Sequence, residues 1–398
     1  MNLSKTEYSQ KTYCFVSNYL TPHQLPFCLE MSRLSGGKFV FVETERLPGD
    51  RIELGYPDFS EEYDFVLSAY KGESEYNEAL KIAYESDVTI IGSAPDVFIN
   101  RRLSEDKLTF RFSERIFKKR YFDPPRWLKY TLKNAKYRNK NLYFLLSSAY
   151  APHDYLRCGV RKDKMFKWGY FPASHEGDPT YEGKIHNRCL WTGRYIDWKH
   201  PDQAIKAVVR LHDEGYDVSL DLIGAGDMED TLRDIITSSN AEAYIRMLGH
   251  KPYDEVRDYM YQSEIFLFTS DYNEGWGAVL NEAMDSGCAI ISSHSTGSAP
   301  YLIKHGVNGL LYRYGDSDQL YDELKKLVSD DDTSRVMGKN ARQTITSEWN
   351  ATVASERLVE FCEAFYRGDY TSAIKDEGVM SRAEAIKQSD MYDYVTRG

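Results

Sequence analysis

The chain has 398 residues, 42% of them apolar, and a formal net charge of −11. That length exceeds one ordinary hydrophobic core, so two domains are expected. The negative balance excludes a protein that coats nucleic acid over its whole surface, and the composition excludes a collagenous or broadly disordered chain.

The N-terminal stretch "MNLSKTEYSQKTYCFVSNYL" has no long apolar core and does not read as a signal peptide. No uncharged apolar run approaches the ~18 residues that a membrane-spanning helix needs. The six cysteines are scattered, with no C-x-x-C pair and no partnering histidines. Reduced cysteines in a cytoplasmic protein, or in one peripheral to the inner face of the cell membrane, fit that pattern better than a disulfide framework or a zinc site.

Taken in chain order, "TYCFVS", "KFVFVE", "VTIIG" and "LYFLLSS" read as strands of the first half. "RCLWTG", "VSLDLIG", "EIFLFTS" and "AIISS" read as strands of the second. Between them lie segments of helical apolar spacing. "PDQAIKAVVRLHDEG" starts at Pro201 and stops at Gly215, and "PYDEVRDYMYQS" and "DSDQLYDELKKLVSD" behave alike. Strands with little internal alternation, separated by helices, imply parallel sheets covered on both faces. The expected fold class is α/β, with two doubly wound Rossmann-like domains facing a central cleft. Residues 1–172 form the first, 173–367 the second, and 368–398 a polar helical tail that either packs back on the first domain or frays. The boundary falls in "FPASHEGDPTYEGKIHN", Phe171 to Asn187.

In such sheets ligands bind beyond the carboxyl ends of the strands. Four strand-end loops of the second half carry distinctive residues. Arg194 and Lys199, in "GRYIDWKHP", are two cations suited to a pyrophosphate. Gly224 and Gly226, in "GAGDMED", allow close backbone approach to a ligand. "NEGWGAVLNEAMDSG" holds Glu274 and Glu282 with seven residues between them. Gly277, Ala278 and Val279 open a helix whose amides favour an anion, with Glu282 about one and a half turns inside it. "HSTGSAP", with Gly297, is the fourth. A carboxylate accepts two hydroxyl hydrogen bonds well, so each glutamate suits a vicinal diol, one on a ribose and one on a sugar. Taken singly, each feature has a plain alternative: a βα turn that binds nothing, a solvated cation pair, a surface helix glutamate.

Together they resemble the donor-binding domain of glycosyltransferase family 4, the retaining GT-B enzymes. The resemblance rests on "TGRYIDWKHPDQAIKAV", "LIGAGDMEDTL", "MLGHKPYDEVRDYMYQSEIFLF", "EGWGAVLNE" with "AMDSGCAIISS", and "GVNGLLYRYGDSDQL". It covers roughly Arg188 to Asn350. It implies retaining transfer of a sugar from a nucleotide diphosphate-sugar, with UDP-sugar preferred, to a glycan or lipid-linked glycan. By resemblance, Arg194 and Lys199 hold the donor diphosphate, Glu282 the ribose and Glu274 the donor sugar. Gly224 lets the donor approach, and backbone near Lys251 and Pro252 faces the base. No cofactor is implied beyond the donor itself. No D-x-D metal motif is evident, since "SDDDTS" near Asp331 and "GDSDQL" near Asp316 read as helix-start loops, so metal-independent transfer is implied. A nucleotide-sugar epimerase, a glycan phosphorylase and a non-catalytic partner subunit of another transferase share the fold and remain alternatives.

The first half departs from the family pattern. "NYLTPHQLPF" lacks the Gly-Gly pair usual after the first strand, and "SAPDVFIN" has Ser93 and Asp96 where a histidine is usual. His23 is the candidate to meet acceptor or leaving group, beside the plainer reading of a helix-entry histidine; His153 is a weaker candidate. Thr109 to Asn141 holds eleven Lys/Arg and two acidic residues, a net +9 that leaves −20 for the rest of the chain. Aromatic residues interleave with these cations. That suits an anionic membrane surface or a lipid-pyrophosphate acceptor, beside the alternative of a solvated basic face.

Overall fold

The computed structural model describes residues 9–53, 56–118, 123–174 and 183–397. The chain divides into two compact units. One comprises Met1–Ala173 with Trp349–Ala385, the other Ser174–Glu348 with Ile386–Gly398. Within the expected boundary segment, residues 175–182 lie outside the described residues.

The first unit is built on seven strands: β1 (Tyr13–Ser17), β2 (Phe39–Glu43), β3 (Val66–Ser68), β4 (Val88–Ile91), β5 (Thr109–Ser113), β6 (Leu142–Leu146) and β7 (Met165–Lys167). They form one parallel sheet in the order β3-β2-β1-β4-β5-β6-β7. Phe15 sits between Phe41 and Ile90 in register. The order reverses direction between β1 and β4, which makes their carboxyl ends the switch point of this unit. The continuous apolar runs of β1, β4 and β6 are wholly buried, as expected of strands covered on both faces.

Helix Ala351–Arg367 belongs to this first unit, although its place in the sequence put it in the second domain. The reason is its apolar face: Phe361 packs on Phe110, Tyr143 and Phe166 at centroid distances of 5.2–5.6 Å. Asn350 fixes its start, its Oδ1 accepting from the Val353 amide at 2.9 Å. The chain then runs along the sheet edge, with Met380, Ser381 and Ala383 exchanging backbone hydrogen bonds with Lys167 and Met165. This pairing covers the outer edge of β7. The tail is therefore divided: residues up to Ala385 close the first sheet, and Met391–Thr396 forms a short helix of the second unit.

The second unit has six strands: β8 (Ile185–Thr192), β9 (Ser219–Ile223), β10 (Ile245–Met247), β11 (Ser263–Phe268), β12 (Ala289–Ser293) and β13 (Leu310–Tyr312). They too are all parallel, in the order β10-β9-β8-β11-β12-β13, with the switch point between β8 and β11. Helix Pro201–Asp213 begins on its proline and buries Ala204, Ile205, Ala207, Val208 and Leu211 in the core of this unit. Asp316 and Asp330 act as helix-start residues, accepting from the amides of Gln319 and Thr333. All six cysteines are buried free thiols. Among the described residues no helix is long and apolar enough to cross a membrane.

Candidate functional site

β8 and β11 end side by side, and the loops that leave them are tied together. Thr269 donates from Oγ1 to the Lys199 carbonyl at 2.7 Å and accepts from the Trp191 indole at 2.9 Å. The Asp271 amide donates to the Trp198 carbonyl at 2.9 Å. These bonds bring together residues 75 positions apart: Lys199 Nζ lies 2.6 Å from Glu274 Oε2, with both side chains 13% exposed. Ser270 Oγ donates to the same carboxylate oxygen at 3.2 Å. Gly193 makes room for the lysine stem, since a Cβ there would lie 3.2 Å from Lys199 Cδ. Arg194, next along, is exposed and makes no ion pair among the described residues. One cation of the predicted pair is thus held by a carboxylate while the other faces solvent.

Gly224 is required by packing within the unit. At φ +149° it lies so close to the first loop that a Cβ would fall 1.8 Å from the Gly193 carbonyl oxygen. The two loops are hydrogen-bonded, the Tyr195 amide donating to the Ala225 carbonyl at 2.9 Å. The glycine therefore sets the position of the loop that carries Arg194 and Lys199.

The segment after Glu274 is pinned by Trp276, which is 1% exposed and donates from its indole to Asn281 Oδ1 at 2.8 Å. Gly277 takes φ +85°, and a Cβ there would lie 2.4 Å from the Phe268 ring. This left-handed residue keeps the helix from starting earlier, so it spans only Val279–Asp285, with Ala278 as its cap. Glu282 consequently falls in the first turn rather than one and a half turns inside. A seven-residue helix has a small dipole.

Glu282 is 6% exposed. Burial pushes its carboxyl up to about 7, against the pull of the Arg257 guanidinium and a hydrogen bond from Tyr253. Arg257 itself pairs with Asp285 at 2.7 Å, both side chains 3% exposed. Tyr253 opens the helix Tyr253–Gln262 directly after Lys251 and Pro252. The predicted base-facing loop and the predicted ribose carboxylate therefore meet through Tyr253, which sequence reading did not single out. Lys251 pairs with Glu255 at 3.2 Å, one turn into that helix.

His23 belongs to the other unit, where it lines a cavity of about 560 Å³. Its ring packs edge-on against Tyr56 and Tyr170, and burial, with Arg51 adding to it, lowers the imidazole to about 4. His23 is thus neutral near pH 7 and offers a hydrogen bond rather than a charge. Ser93 lines the same cavity, and His153 lies in the helix Ala151–Arg157 outside its wall.

Residues 184–344 match the family model of glycosyl transferases group 1. This segment is thus similar to the glycosyl transferases of group 1. The amylovoran biosynthesis glycosyltransferase AmsK of Erwinia amylovora is 31% identical over 181 residues, 44% of each chain. The GtfA subunit of the UDP-N-acetylglucosamine–peptide N-acetylglucosaminyltransferase of Streptococcus pneumoniae is 34% identical over 145 residues, 36% of this chain and 28% of that one. The chain thus spans less than half the length of these curated relatives. Among solved structures, Anabaena Alr3699/HepE in complex with UDP aligns over 89% of this chain and all of its own, with a TM-score of 0.67 at 16% identity. A glycosyltransferase from Rickettsia africae aligns over 91% of this chain and all of its own, with a TM-score of 0.66 at 14% identity. The fold is GT-B. The matched segment spans β8–β13 and contains Arg194, Lys199, Gly224, Lys251, Pro252, Glu274, Gly277–Val279 and Glu282.

Proposed function

We propose that the protein is a retaining glycosyltransferase that moves a sugar from a nucleotide diphosphate-sugar, with UDP-sugar preferred, to a glycan or lipid-linked glycan. The observation that carries this reading is the Lys199–Glu274 pair at the joined ends of β8 and β11, with Glu282 buried in the next turn of chain. Lys199 and Arg194 would take the charge that develops on the leaving diphosphate. Glu274, anchored by Lys199 and Ser270, would orient the donor sugar's hydroxyls. Glu282 would accept from the ribose diol, beside the Lys251–Tyr253 loop that meets the base. The reading gives the two cations the part that a divalent ion plays in other transferases.

A nuclear magnetic resonance assay of the anomeric proton during transfer from an α-linked UDP-sugar tests this. The expected product is α-linked, formed at the same rate with EDTA present. A β-linked product, or loss of activity in EDTA that Mg²⁺ restores, would overturn the mechanism.

One surface supports peripheral membrane association of the first unit. On the helix Pro124–Tyr137, Leu128 and Leu132 are 51% and 64% exposed, one turn apart, beside the exposed Lys129 and Lys136. Apolar residues rimmed by cations suit an anionic bilayer surface. Lys119, Arg120, Tyr121 and Phe122, counted with this patch in the sequence, lie outside the described residues. The chain is expected to co-sediment with anionic vesicles at low salt, and Leu128→Gln/Leu132→Gln to stay in the supernatant. Equal recovery of both in the supernatant would dismiss the association.

A further inference from the structure

The cavity that His23 lines has a composition not needed for a neutral ligand. It opens at the carboxyl ends of β1, β4 and β5, the switch point of the first sheet, where Ser17, Gly92 and Ser113 form part of its wall. Five cations line it: Arg51, Arg111, Arg115, Lys118 and Lys133. Glu114 is the one carboxylate in the wall among the described residues.

The ion pairs show which cations are committed to the fold. Arg115 is paired with Asp154 at 3.3 Å, the side chains 2% and 1% exposed, and Asp154 also accepts from the Phe117 amide. That pair is structural. Lys118 is paired with Glu114. Arg111 and Lys133 share a single carboxylate, Asp96, at 2.8 and 2.5 Å. Arg51 lies over the Tyr56 ring at 5.5 Å. Among the described residues, five cations thus face three carboxylates, Asp96, Asp154 and Glu114, which leaves two positive charges in excess. The excess sits on Arg51 and on the Arg111–Lys133 couple. Burial, together with the neighbouring Arg111, holds Lys133 below the usual lysine range, against the pull of Asp96. Tyrosine rings, among them Tyr130 and Tyr170, make up the adjoining wall and offer apolar faces and hydroxyls to a polyol.

We infer that this cavity binds a phosphoryl group carried by the sugar acceptor. The word acceptor rests on the transferase reading above; the phosphoryl site does not. Two excess cations match a phosphate dianion, Arg51 and Lys133 pairing with its oxygens while the tyrosines cover the attached sugar. Four of the basic residues counted in Thr109 to Asn141 thereby face a ligand cavity, whereas Lys129 and Lys136 face outward.

The test is calorimetric titration of the full chain with a hexose 6-phosphate and with the same hexose, alongside UDP. Wild type is expected to bind the ester at least about tenfold more tightly than the hexose, with an advantage that shrinks as salt is added. Arg51→Gln/Lys133→Gln is expected to lose that advantage while binding UDP as wild type does, which shows that it is folded. Arg51→Gln alone, which removes no ion pair among the described residues, is expected to lose part of it. Phosphatidylcholine vesicles with and without a polyprenyl phosphate form a second arm. Binding to the loaded vesicles that the double variant abolishes assigns a lipid carrier as the phosphoryl source, and binding of the soluble ester alone assigns a soluble one. Equal binding of ester and hexose with no preference for loaded vesicles would overturn the proposal, as would an undiminished advantage in the double variant. Phosphoryl discrimination without UDP binding would instead sink the transferase reading and leave this site standing.

Discussion

Lys199→Met is expected to lower kcat by about 10²–10³-fold, with a much smaller change in KM. The lysine's Nζ is fixed 2.6 Å from Glu274 by a short loop whose backbone is bonded to the loop after β11. On the proposed mechanism, a charge placed in advance would act on the leaving diphosphate without the cost of reorganising solvent, with its effect greatest where charge develops. The substitution also strips a 13%-exposed carboxylate of its cation, so a loss of stability accompanies it. Lys199→Met/Glu274→Gln separates the two effects. The double variant is expected to recover stability and not turnover, and Lys199→Arg to recover part of the turnover. Steady-state kinetics with urea unfolding of each variant checks this. Near-normal kcat in Lys199→Met would remove the lysine from the mechanism.

Glu282→Gln is expected to have opposite effects on stability and on nucleotide binding. Burial raises the carboxyl from its ordinary value of 4.5 to about 7 in the folded chain. Below the unfolded value the group is protonated in both states and costs nothing. Between 4.5 and 7 the folded chain holds a proton that the unfolded chain has released, so stability falls as pH rises through this window. The full cost, on the order of 1–3 kcal/mol, is present above pH 7. Glutamine removes it, so the variant should be more stable than wild type at pH 8 and little different at pH 4.5. Two ribose hydroxyls bonded to a carboxylate contribute more than the same bonds to an amide, and nucleotide affinity at pH 8 should fall by about 100-fold. Urea unfolding at the two pH values and calorimetry with the nucleotide measure both. A variant less stable than wild type at pH 8 would mean that the carboxylate is held by partners that outweigh its burial.

Particular elements show how far local sequence carries. β8, β9, β11 and β12 were legible because "RCLWTG", "VSLDLIG", "EIFLFTS" and "AIISS" are unbroken apolar runs between helical patterns. β5 was not, because "TFRFS" puts Arg111 in the middle of a strand and sits within a basic stretch. The arginine is tolerated there because Asp96 and a polar cavity take its head group. Helix Ala351–Arg367 was assigned by sequence order, whereas its place is decided by aromatic contacts to Phe110 and Tyr143, far away in the sequence. At the site, residue types and spacing pointed to Lys199, Glu274 and Glu282. The Lys199–Glu274 pairing depended on strand order in a parallel sheet, which no local pattern encodes. Tyr253 was silent for the same reason: it matters through Glu282, distant in the chain. The basic stretch of the first unit was legible as a charge run, but which of its cations face a cavity was not.

Thermal unfolding with UDP, GDP, ADP and CMP in turn, on wild type and Glu282→Gln, tests whether the second unit holds a nucleotide at Glu282. A nucleotide at about 100 times its dissociation constant stabilises the chain that binds it by about 2.7 kcal/mol. A rise in wild-type Tm is expected with one of the four, UDP first, and is lost in Glu282→Gln. No rise with any nucleotide, or an equal rise in the variant, would contradict it.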